Sequence, residues 1–416
     1  MDSDVKTFAH QARIASREMA SLSSAAKVAV LKNMASSLRK NASLLQKENK
    51  KDVELAAEKG LSKAMVDRLK LTDKVIESMA VALEEIAELP DPVGKISSMV
   101  KRPNGLMVGR MRIPLGVIAM IYESRPNVTS DAAGLCIKSG NAVILRGGSE
   151  AFNSNMAIAK ILRSVLKDAH INPDAVSLVP VTERSALLEM LELEEEIDLV
   201  IPRGGEDLIR TVVRNSRIPV LKHYKGVCHI FIDRDVDLKK AYTICLNAKV
   251  QKPSVCNAME TLLVDEPVAK KFLPKMIKIY KDHKVEIRGC EKTASIIKGI
   301  KRATEEDWYA EFLDLILAVK VVDGLQEAID HIEKYGSNHT EAIITENYTS
   351  AMEFLKQVDS STVLVNASTR FSDGSEFGLG AEVGISTSKI HAYGPMGIEH
   401  LTIEKFICFG DGQIRQ

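Results

Sequence analysis

Residues 116–150 read GVIAMIYESRPNVTSDAAGLCIKSGNAVILRGGSE, and this stretch decides the fold. It opens with an unbroken apolar run over residues 116–122, which is typical of a strand buried on both faces of a sheet. A polar loop and a helical stretch ending at Gly140 follow, and a second apolar run occupies residues 142–145. This alternation of strand, loop and helix predicts a parallel sheet flanked by helices.

The same alternation continues along most of the chain. Apolar runs predict further strands at residues 175–179, 197–201, 227–232, 261–264, 315–322, 342–345 and 362–365. Helical stretches are predicted at residues 150–166, from 206 onward, and at 238–250, 267–280 and 324–335. The pattern predicts two α/β sets, of which the second begins near Val227.

Two regions depart from this alternation. Residues 1–89 carry apolar side chains at helical spacing and predict a layer of helices. Residues 93–113 predict a β-hairpin with a turn at Asn104-Gly105, and residues 402–409 form a further β-type run. We expect the hairpin to stand apart from the helices and to pair with another subunit.

The composition restricts the class of protein. The chain has 416 residues, enough for two or three domains. Its 56 basic and 56 acidic residues cancel, so the charge balance indicates neither a nucleic-acid nor a membrane partner. The first ten residues lack the apolar core of a signal peptide, and no apolar run approaches the ~18 residues of a membrane span. Its six cysteines form no CxxC pair, which favours a reducing, cytoplasmic location over a disulfide framework or a zinc site.

Two predicted strands end in Arg-Gly-Gly just before a helix, at Arg146-Gly147-Gly148 and at Arg203-Gly204-Gly205. Glycine lets the backbone approach a ligand, and a helix N-terminus offers free N–H groups. Arginine adds a charge suited to phosphate. Two such turns in one sheet indicate a dinucleotide or another phosphorylated ligand. Ordinary turns between strand and helix, in which glycine is common, are the alternative.

The segment AKVQKPSVCNAMETLLV, residues 248–264, places Cys256 between a predicted helix and a predicted strand. Pro253 disfavours helix for the residue before it, so the cysteine falls in a loop. A thiolate is a nucleophile when a nearby positive charge or backbone N–H groups lower its pKa, and Lys252 is a nearby cation. The alternative is a half-buried structural cysteine.

Five stretches together resemble the gamma-glutamyl phosphate reductases, the proline-biosynthetic branch of the aldehyde dehydrogenase superfamily. They are RIPLGVIAMIYESRPNVTSDAAGLCIKSGNAVILRGGSEAFNSN, IPRGGEDLIR, GVCHIFID, AKVQKPSVCNAMETLLV and VNASTRFSDGSEFGLGAEVGISTSKIHAYGPMG. The likeness runs along essentially the whole chain, and the five stretches together are highly specific.

The resemblance implies an aldehyde dehydrogenase-like α/β fold with two doubly wound α/β domains and a small oligomerisation β-sheet. Residues 1–92 and 114–226 would form an NADP-binding domain, and residues 227–398 a catalytic domain. Residues 93–113 and 399–416 would form the oligomerisation hairpin and the C-terminal strand. A homodimer or homotetramer is therefore expected.

The resemblance also implies a reaction. L-Glutamyl 5-phosphate would be reduced by NADPH to L-glutamate 5-semialdehyde and phosphate, the second step from glutamate to proline. Cys256 matches the family nucleophile, whose thiolate displaces phosphate and leaves a thioester. Asn127 matches the asparagine whose side-chain amide forms an oxyanion hole with the Cys256 N–H. Without the resemblance, Asn127 would be a turn residue after Pro126.

The predicted cofactor is NADP(H), also on the basis of the resemblance. Arg146 falls where the superfamily often has a lysine that grips the adenosine ribose or its phosphate. Ser149 falls where NAD-preferring members often carry a glutamate, and without that carboxylate the site should accept a 2′-phosphate. Glu311 resembles the glutamate that holds the nicotinamide ribose, although a surface acid is the alternative. The predicted cofactor-binding residues are Arg146, Gly147, Gly148, Ser149, Arg203, Gly204, Gly205 and Glu311.

One departure separates this chain from hydrolytic aldehyde dehydrogenases. Those enzymes place a glutamate base just ahead of a glycine near residue 226, whereas residues 221–225 here read LKHYK. A thioester without a base to activate water survives for phosphate to attack, which favours a phosphorylating enzyme. The alternatives are a non-phosphorylating aldehyde or acyl-CoA dehydrogenase of the same superfamily, and a non-catalytic binding or structural member.

The substrate carboxylate and phosphate require cations. Arg125, Lys252 and Arg370 lie in three loops that are expected to surround Cys256, and salt bridges within those loops are the alternative. Asn366 and Thr369 are further predicted substrate contacts, and no metal is expected. The sequence shows no N-terminal kinase domain, so glutamyl phosphate should come from glutamate 5-kinase, and a transient complex with that kinase is a further hypothesis.

Overall fold

The computed structural model describes residues 5–415, which divide into two compact units. The first unit comprises residues 1–222, 379–384 and 396–416, and the second comprises residues 223–378 and 385–395. Residues 1–4 and 416 lie outside the described residues. Residues 1–4 begin the predicted NADP-binding segment and the stretch that lacks a signal-peptide core, and residue 416 ends the predicted oligomerisation segment. Assigning functions to three domains stays a prediction.

The first unit contains a helical layer, a parallel sheet and a small antiparallel sheet. Its helices are α1 Val5–Met19, α2 Ser24–Lys40, α3 Ala42–Glu58, α4 Lys63–Leu69, α5 Asp73–Glu88, α6 Asn127–Lys138, α7 Phe152–Asp168, α8 Arg184–Met190 and α9 Glu206–Asn215. Its strands are β1 Ile96–Lys101, β2 Met107–Pro114, β3 Val117–Tyr122, β4 Ala142–Gly147, β5 Val176–Leu178, β6 Leu199–Arg203 and, from the end of the chain, β16 Thr402–Phe409. The helical layer over residues 5–88 confirms the prediction from apolar spacing.

Helix α5 shows why this layer forms. It buries Ile76, Met79 and Leu83, which are spaced three and four residues apart and so share one face. The Thr72 side chain accepts a hydrogen bond from Val75 N at 3.3 Å and caps the helix start. Both features are local, and this explains why the sequence pattern predicts the helix.

The parallel sheet of the first unit has the strand order β5-β4-β3-β6. Every residue of β3 is buried, which confirms the prediction of a strand covered on both faces. Strands β3, β4 and β5 follow one another to one side, whereas β6 lies on the other side of β3. The loops after β3 and β6 therefore meet at a topological switch point, where open α/β sheets bind ligands.

The predicted hairpin forms a separate antiparallel sheet with the end of the chain. β1 pairs with β2, and β16 pairs with the other edge of β2. Gly105 in the predicted Asn-Gly turn has a φ of 88°, a conformation that favours glycine. The side chains of Val100, Phe406 and Phe409 on this sheet are 54%, 66% and 60% exposed, so the sheet presents apolar groups to solvent.

The second unit is an α/β unit around a parallel sheet of order β10-β9-β11-β8-β7-β12-β13. Its strands are β7 Cys228–Ile232, β8 Met259–Asp265, β9 Glu286–Gly289, β10 Lys301–Arg302, β11 Ile316–Val322, β12 Thr340–Ile344 and β13 Thr362–Val365. Its helices are α10 Leu238–Val250, α11 Glu266–Asp282, α12 Glu291–Ile296, α13 Glu305–Trp308, α14 Gly324–Tyr335 and α15 Tyr348–Gln357. Two short paired strands, β14 Gly384–Ser386 and β15 Gly394–Met396, lie where the chain passes between the units. Within residues 5–415, no helix is both long enough and apolar enough to cross a membrane.

Candidate active site

The first Arg-Gly-Gly turn, residues 146–148, leads to a helix end that is already bound by a carboxylate. Asp52 of α3 is buried and accepts hydrogen bonds from Asn153 N at 3.1 Å and Ser154 N at 2.7 Å. These are two of the N–H groups that the start of α7 would otherwise offer to an anion. The helix dipole behind this turn is therefore used within the protein.

Arg146 has a buried donor beside this turn that none of the described residues accepts from. Its Nη2 donates to Thr182 O at 2.9 Å, whereas its Nε is buried without a partner among the described residues. Burial lowers the pKa of Arg146, but a guanidinium stays protonated at neutral pH. A buried donor without a partner is unusual, and an anionic ligand would satisfy it.

A carboxylate that sequence reasoning overlooked also lies beside this turn. Ser149 has none and is exposed, but the next residue, Glu150, folds back over the turn. Glu150 Oε1 accepts hydrogen bonds from Ser124 N at 2.6 Å and Ser124 Oγ at 2.8 Å. A Cβ atom on Gly148 would lie 2.3 Å from the same oxygen. The inference that this turn lacks a carboxylate is therefore correct for Ser149 only.

The second Arg-Gly-Gly turn, residues 203–205, is more open. β6 ends at Arg203, and α9 begins directly after Gly205. Gly204 and Gly205 are exposed, and Gly205 N donates to Glu123 Oε2 at 2.9 Å. Glu123 is itself exposed and comes from the loop after β3, at the switch point of the sheet. This turn offers a helix N-terminus that an external anion can reach.

Asn127, the predicted oxyanion donor, is the first residue of α6 and is half-buried. Its Nδ2 donates to Asp131 Oδ2 at 3.0 Å, one helical turn onward. Burial raises the pKa of Asp131 to about 6, against hydrogen bonds from Asn127 and Ser130 and the charge of Arg203. Because an asparagine amide has two N–H donors, one remains beyond the bond to Asp131. Arg125, two residues earlier, is exposed.

Cys256 differs from the other cysteines in its location. It is half-buried and lies in the loop between α10 and β8, as predicted. Burial raises the thiol pKa of three others, Cys136, Cys228 and Cys245. Cys290 caps α12, and Cys408 lies in β16 of the antiparallel sheet. Reactive cysteines are partly exposed and lie in loops or clefts, so the exposure and loop position of Cys256 suit nucleophilic chemistry.

The backbone of Cys256 is tightly supported from β7. Cys228 Sγ donates to the Cys256 carbonyl at 3.1 Å. A Cβ atom on Gly226 would lie 2.0 Å from the same carbonyl oxygen, so only glycine fits there. Glu311 Oε1 accepts a hydrogen bond from Gly226 N at 2.9 Å. Although residues 221–225 contain no carboxylate, Glu311 therefore brings one to Gly226 from a distant loop.

Arg370 reaches the cysteine loop, in agreement with the sequence-based expectation. Its Nε donates to Gln251 Oε1 at 2.8 Å, and its Nη1 donates to Asn257 Oδ1. Both acceptors belong to the loop that carries Cys256. Lys252 in the same loop is exposed. The structure therefore places the fixed cation of Arg370 against this loop and the exposed cation of Lys252 on it.

Asn366 and Thr369 are the two further predicted substrate contacts. The Asn366 side chain bonds both backbone groups of Thr345, at 2.7 and 3.0 Å, beyond the carboxyl end of β12. Cys256 precedes the amino end of β8 in the same parallel sheet. Asn366 therefore lies by the carboxyl ends of the strands, and Cys256 by their amino ends. Thr369 is fully buried. The location of Asn366 argues against its predicted substrate contact. Thr369 Oγ1 is buried without a partner among the described residues, and its substrate contact stays a prediction.

Comparison with known proteins first defines the class. The chain matches the model of the aldehyde dehydrogenase family over residues 1–298. It is 59% identical to gamma-glutamyl phosphate reductase of Thermodesulfovibrio yellowstonii over 98% of both chains, and 58% identical to that of Geotalea daltonii over 99% of both. The crystal structure of gamma-glutamyl phosphate reductase from Thermotoga maritima matches with a TM-score of 0.98 and 46% identity, over 99% of this chain and 100% of that one.

The chain belongs to the aldehyde dehydrogenase family and, within it, to the gamma-glutamyl phosphate reductases. This confirms the resemblance seen in the five sequence stretches and the predicted α/β fold class. It also identifies the chain as an oxidoreductase of a family that uses a nicotinamide cofactor.

Proposed function

We propose that this protein reduces L-glutamyl 5-phosphate to L-glutamate 5-semialdehyde and phosphate, with NADPH as the reductant. The observation that carries the proposal is the location of Cys256, a half-buried thiol in a loop whose backbone is fixed by Cys228 and Gly226. A nucleophile must be both accessible and held in one geometry, and this loop meets both requirements.

Cys256 forms the covalent intermediate in this proposal. Its thiolate attacks the acyl carbon, the bond from that carbon to the phosphate oxygen breaks, and phosphate leaves with the electron pair. Arg146, Gly205 and Glu311 would hold NADPH, which would supply the hydride for the resulting thioester. The Cys256 N–H and the remaining Asn127 amide N–H are the proposed donors to the oxyanion, which then collapses to the aldehyde and returns the thiolate.

Cations on the loops are proposed to bind the two anionic groups of the substrate. Arg370 is held by Gln251 and Asn257, so its charge is fixed before substrate arrives. Lys252 and Arg125 are exposed, so a carboxylate or phosphate can reach them from solvent. These assignments follow from charge and position on the loops.

The preference for NADP over NAD is proposed from the residues of the first unit. The unpartnered Nε of Arg146 suits a 2′-phosphate, and the exposed N-terminus of α9 behind Gly205 suits a pyrophosphate. Glu311 in the second unit is the proposed partner of the nicotinamide ribose.

The test is Cys256→Ala, assayed as phosphate-dependent NADP reduction with glutamate semialdehyde. Turnover should fall at least about 10³-fold because the thioester cannot form, while fluorescence titration shows unchanged NADPH binding. Cys408→Ala, which removes an exposed thiol from β16, is the matched control and should retain full turnover. Undiminished turnover of Cys256→Ala would overturn the proposal.

A non-phosphorylating aldehyde dehydrogenase is the second candidate, and one observation favours it. Glu311 brings a carboxylate to Gly226, beside the position where hydrolytic members carry their base. An oxidation rate that is the same with and without phosphate would support this candidate. A rate that rises in proportion to phosphate at low concentration would support the acyl phosphate reaction.

We also propose that the antiparallel sheet joins copies of this chain. Its exposed Val100, Phe406 and Phe409 form an apolar surface that suits burial in a dimer or tetramer. Phe406→Glu should reduce the mass measured by light scattering to that of a smaller assembly.

A transient complex with glutamate 5-kinase would deliver the labile acyl phosphate directly. Co-elution of the two proteins at cellular concentrations tests this separate proposal.

A further inference from the structure

A buried ion pair brackets the loop that carries Cys256. Lys249 lies in the last turn of α10, and Glu260 is the second residue of β8. Lys249 Nζ and Glu260 Oε2 are 2.5 Å apart, and both side chains are fully buried. The ion pair therefore joins the two ends of the cysteine loop.

Glu260 has a second contact on its other oxygen. Glu260 Oε1 accepts a hydrogen bond from Leu313 N at 3.1 Å. Leu313 has a φ of 53°, in the left-handed region that leucine rarely adopts, so surrounding contacts must hold its backbone there. Leu313 lies two residues after Glu311, the proposed partner of the cofactor ribose.

These contacts close a ring within the second unit. Glu260 holds Leu313, and the neighbouring Glu311 accepts from Gly226 N. Gly226 packs directly on the carbonyl of Cys256, whose loop returns to Glu260. The segment that contains Glu311 is therefore linked to the cysteine loop on two sides, through Gly226 and through Glu260.

Stability alone is a weak explanation for this pair. Burial raises the pKa of Glu260 to about 7 and lowers the pKa of Lys249, so desolvation opposes the charged forms of both. Apolar residues of similar volume often stabilise a buried site as well or better. A role in fixing geometry accounts for both charges and for the hydrogen bond to Leu313.

We propose that Glu260, held by Lys249, is a positioning residue that couples the Cys256 loop to the Glu311 segment. This inference rests on the proposed function, which assigns Cys256 to catalysis and Glu311 to the cofactor. Binding of the cofactor at Glu311 then sets the geometry of the nucleophile.

The test is Glu260→Gln, which keeps the shape of the side chain and removes its charge. We expect kcat to fall about tenfold and the Michaelis constant for NADPH to rise several-fold, because a small misplacement of a reacting group is costly. In the unmodified protein, NADPH should change the rate at which iodoacetamide alkylates Cys256, because the proposal couples the cofactor to the cysteine loop. Glu260→Gln should remove this change, a readout that lost stability alone would not affect. Glu346→Gln is the matched control, because it breaks an exposed ion pair with Lys240 in the same unit and should change none of these values.

A second variant covers the case in which Glu260→Gln does not fold. Lys249→Met combined with Glu260→Met replaces the ion pair by an apolar pair and should fold while showing the same kinetic losses. Wild-type kcat, Michaelis constant and NADPH-dependent alkylation in either folded variant would overturn the inference. That result would leave the proposed function intact, whereas activity of Cys256→Ala would remove the proposed function itself.

Discussion

The two Arg-Gly-Gly turns of the first unit have the same sequence and different surroundings. Behind Arg146, the start of α7 is bound by the buried carboxylate of Asp52. Behind Arg203, the carboxylate that binds before the start of α9 is the exposed Glu123, which accepts from Gly205 N. A buried carboxylate cannot leave without opening the helical layer, whereas an exposed one can be displaced. A helix N-terminus is therefore open to a ligand only when no buried side chain already accepts its N–H hydrogen bonds.

The largest expected effect on stability comes from removing the Asp52 carboxylate that binds the start of α7. Asp52→Asn forces an amide N–H₂ toward donors of α7 that now meet a carboxylate, including Ser154 N and Ser154 Oγ. The free energy of unfolding should fall by about 2–4 kcal/mol, measured with urea. The matched change at the other turn, Glu123→Gln, should leave it unchanged. Equal losses would mean that the two helix ends do not differ.

A pH profile tests how the charge of Arg203 is used. Burial raises the pKa of Asp131 to about 6, so the folded state holds this proton more tightly than the unfolded state does. As pH rises from about 4 to 6, the free energy of unfolding should therefore fall, by at most about 3 kcal/mol. Asp131→Asn should remove this component. Arg203→Gln should enlarge it, because Arg203 lowers the pKa of Asp131; a smaller fall would contradict this pairing.

Cofactor discrimination tests the arginine of the first turn. Arg146→Gln should raise the Michaelis constant for NADPH about tenfold and leave that for NADH unchanged, since one charge-assisted contact to the 2′-phosphate is lost. Arg203→Gln is the comparison and should affect both cofactors equally. Steady-state kinetics with each cofactor measures the ratio, and an unchanged ratio in Arg146→Gln would exclude Arg146 as the discriminating residue.

The smallest effect is expected at the exposed helix end. Glu123→Gln removes a carboxylate that competes with the pyrophosphate for Gly205 N. The Michaelis constants for both cofactors should fall two- to five-fold, as expected for a contribution of about 0.3–1 kcal/mol at a helix terminus. A rise in these constants would instead show that Glu123 itself helps to hold the cofactor.

The sequence predicted features that depend on local pattern. The buried strand β3, the hairpin with its Asn-Gly turn and the loop position of Cys256 all follow from apolar runs, turn residues and Pro253. The four-residue strand β9 was missed, because only two of its residues are buried and its apolar signal is weak. Local sequence pattern therefore predicted the main strands and helices but missed this short strand.

The hydrogen bonds of carboxylates at the candidate site could not be predicted from local sequence pattern. Asp52 and Ser154 are 102 residues apart, and Glu311 and Gly226 are 85 apart, so no spacing rule connects them. Asn366 is a predicted substrate contact, yet its side chain hydrogen-bonds the backbone of Thr345. Which carboxylate meets which N–H group is decided by tertiary packing.

The pairing of β16 with β2 also affects how this protein is made. Thr402 pairs with Pro114, so about 290 residues, including the whole of the second unit, emerge from the ribosome between the two strands. At typical synthesis rates, β16 is synthesised roughly 15–60 s after the β1–β2 hairpin. During that time its open edge is available to chaperones or to the same hairpin on an adjacent polysome-bound chain.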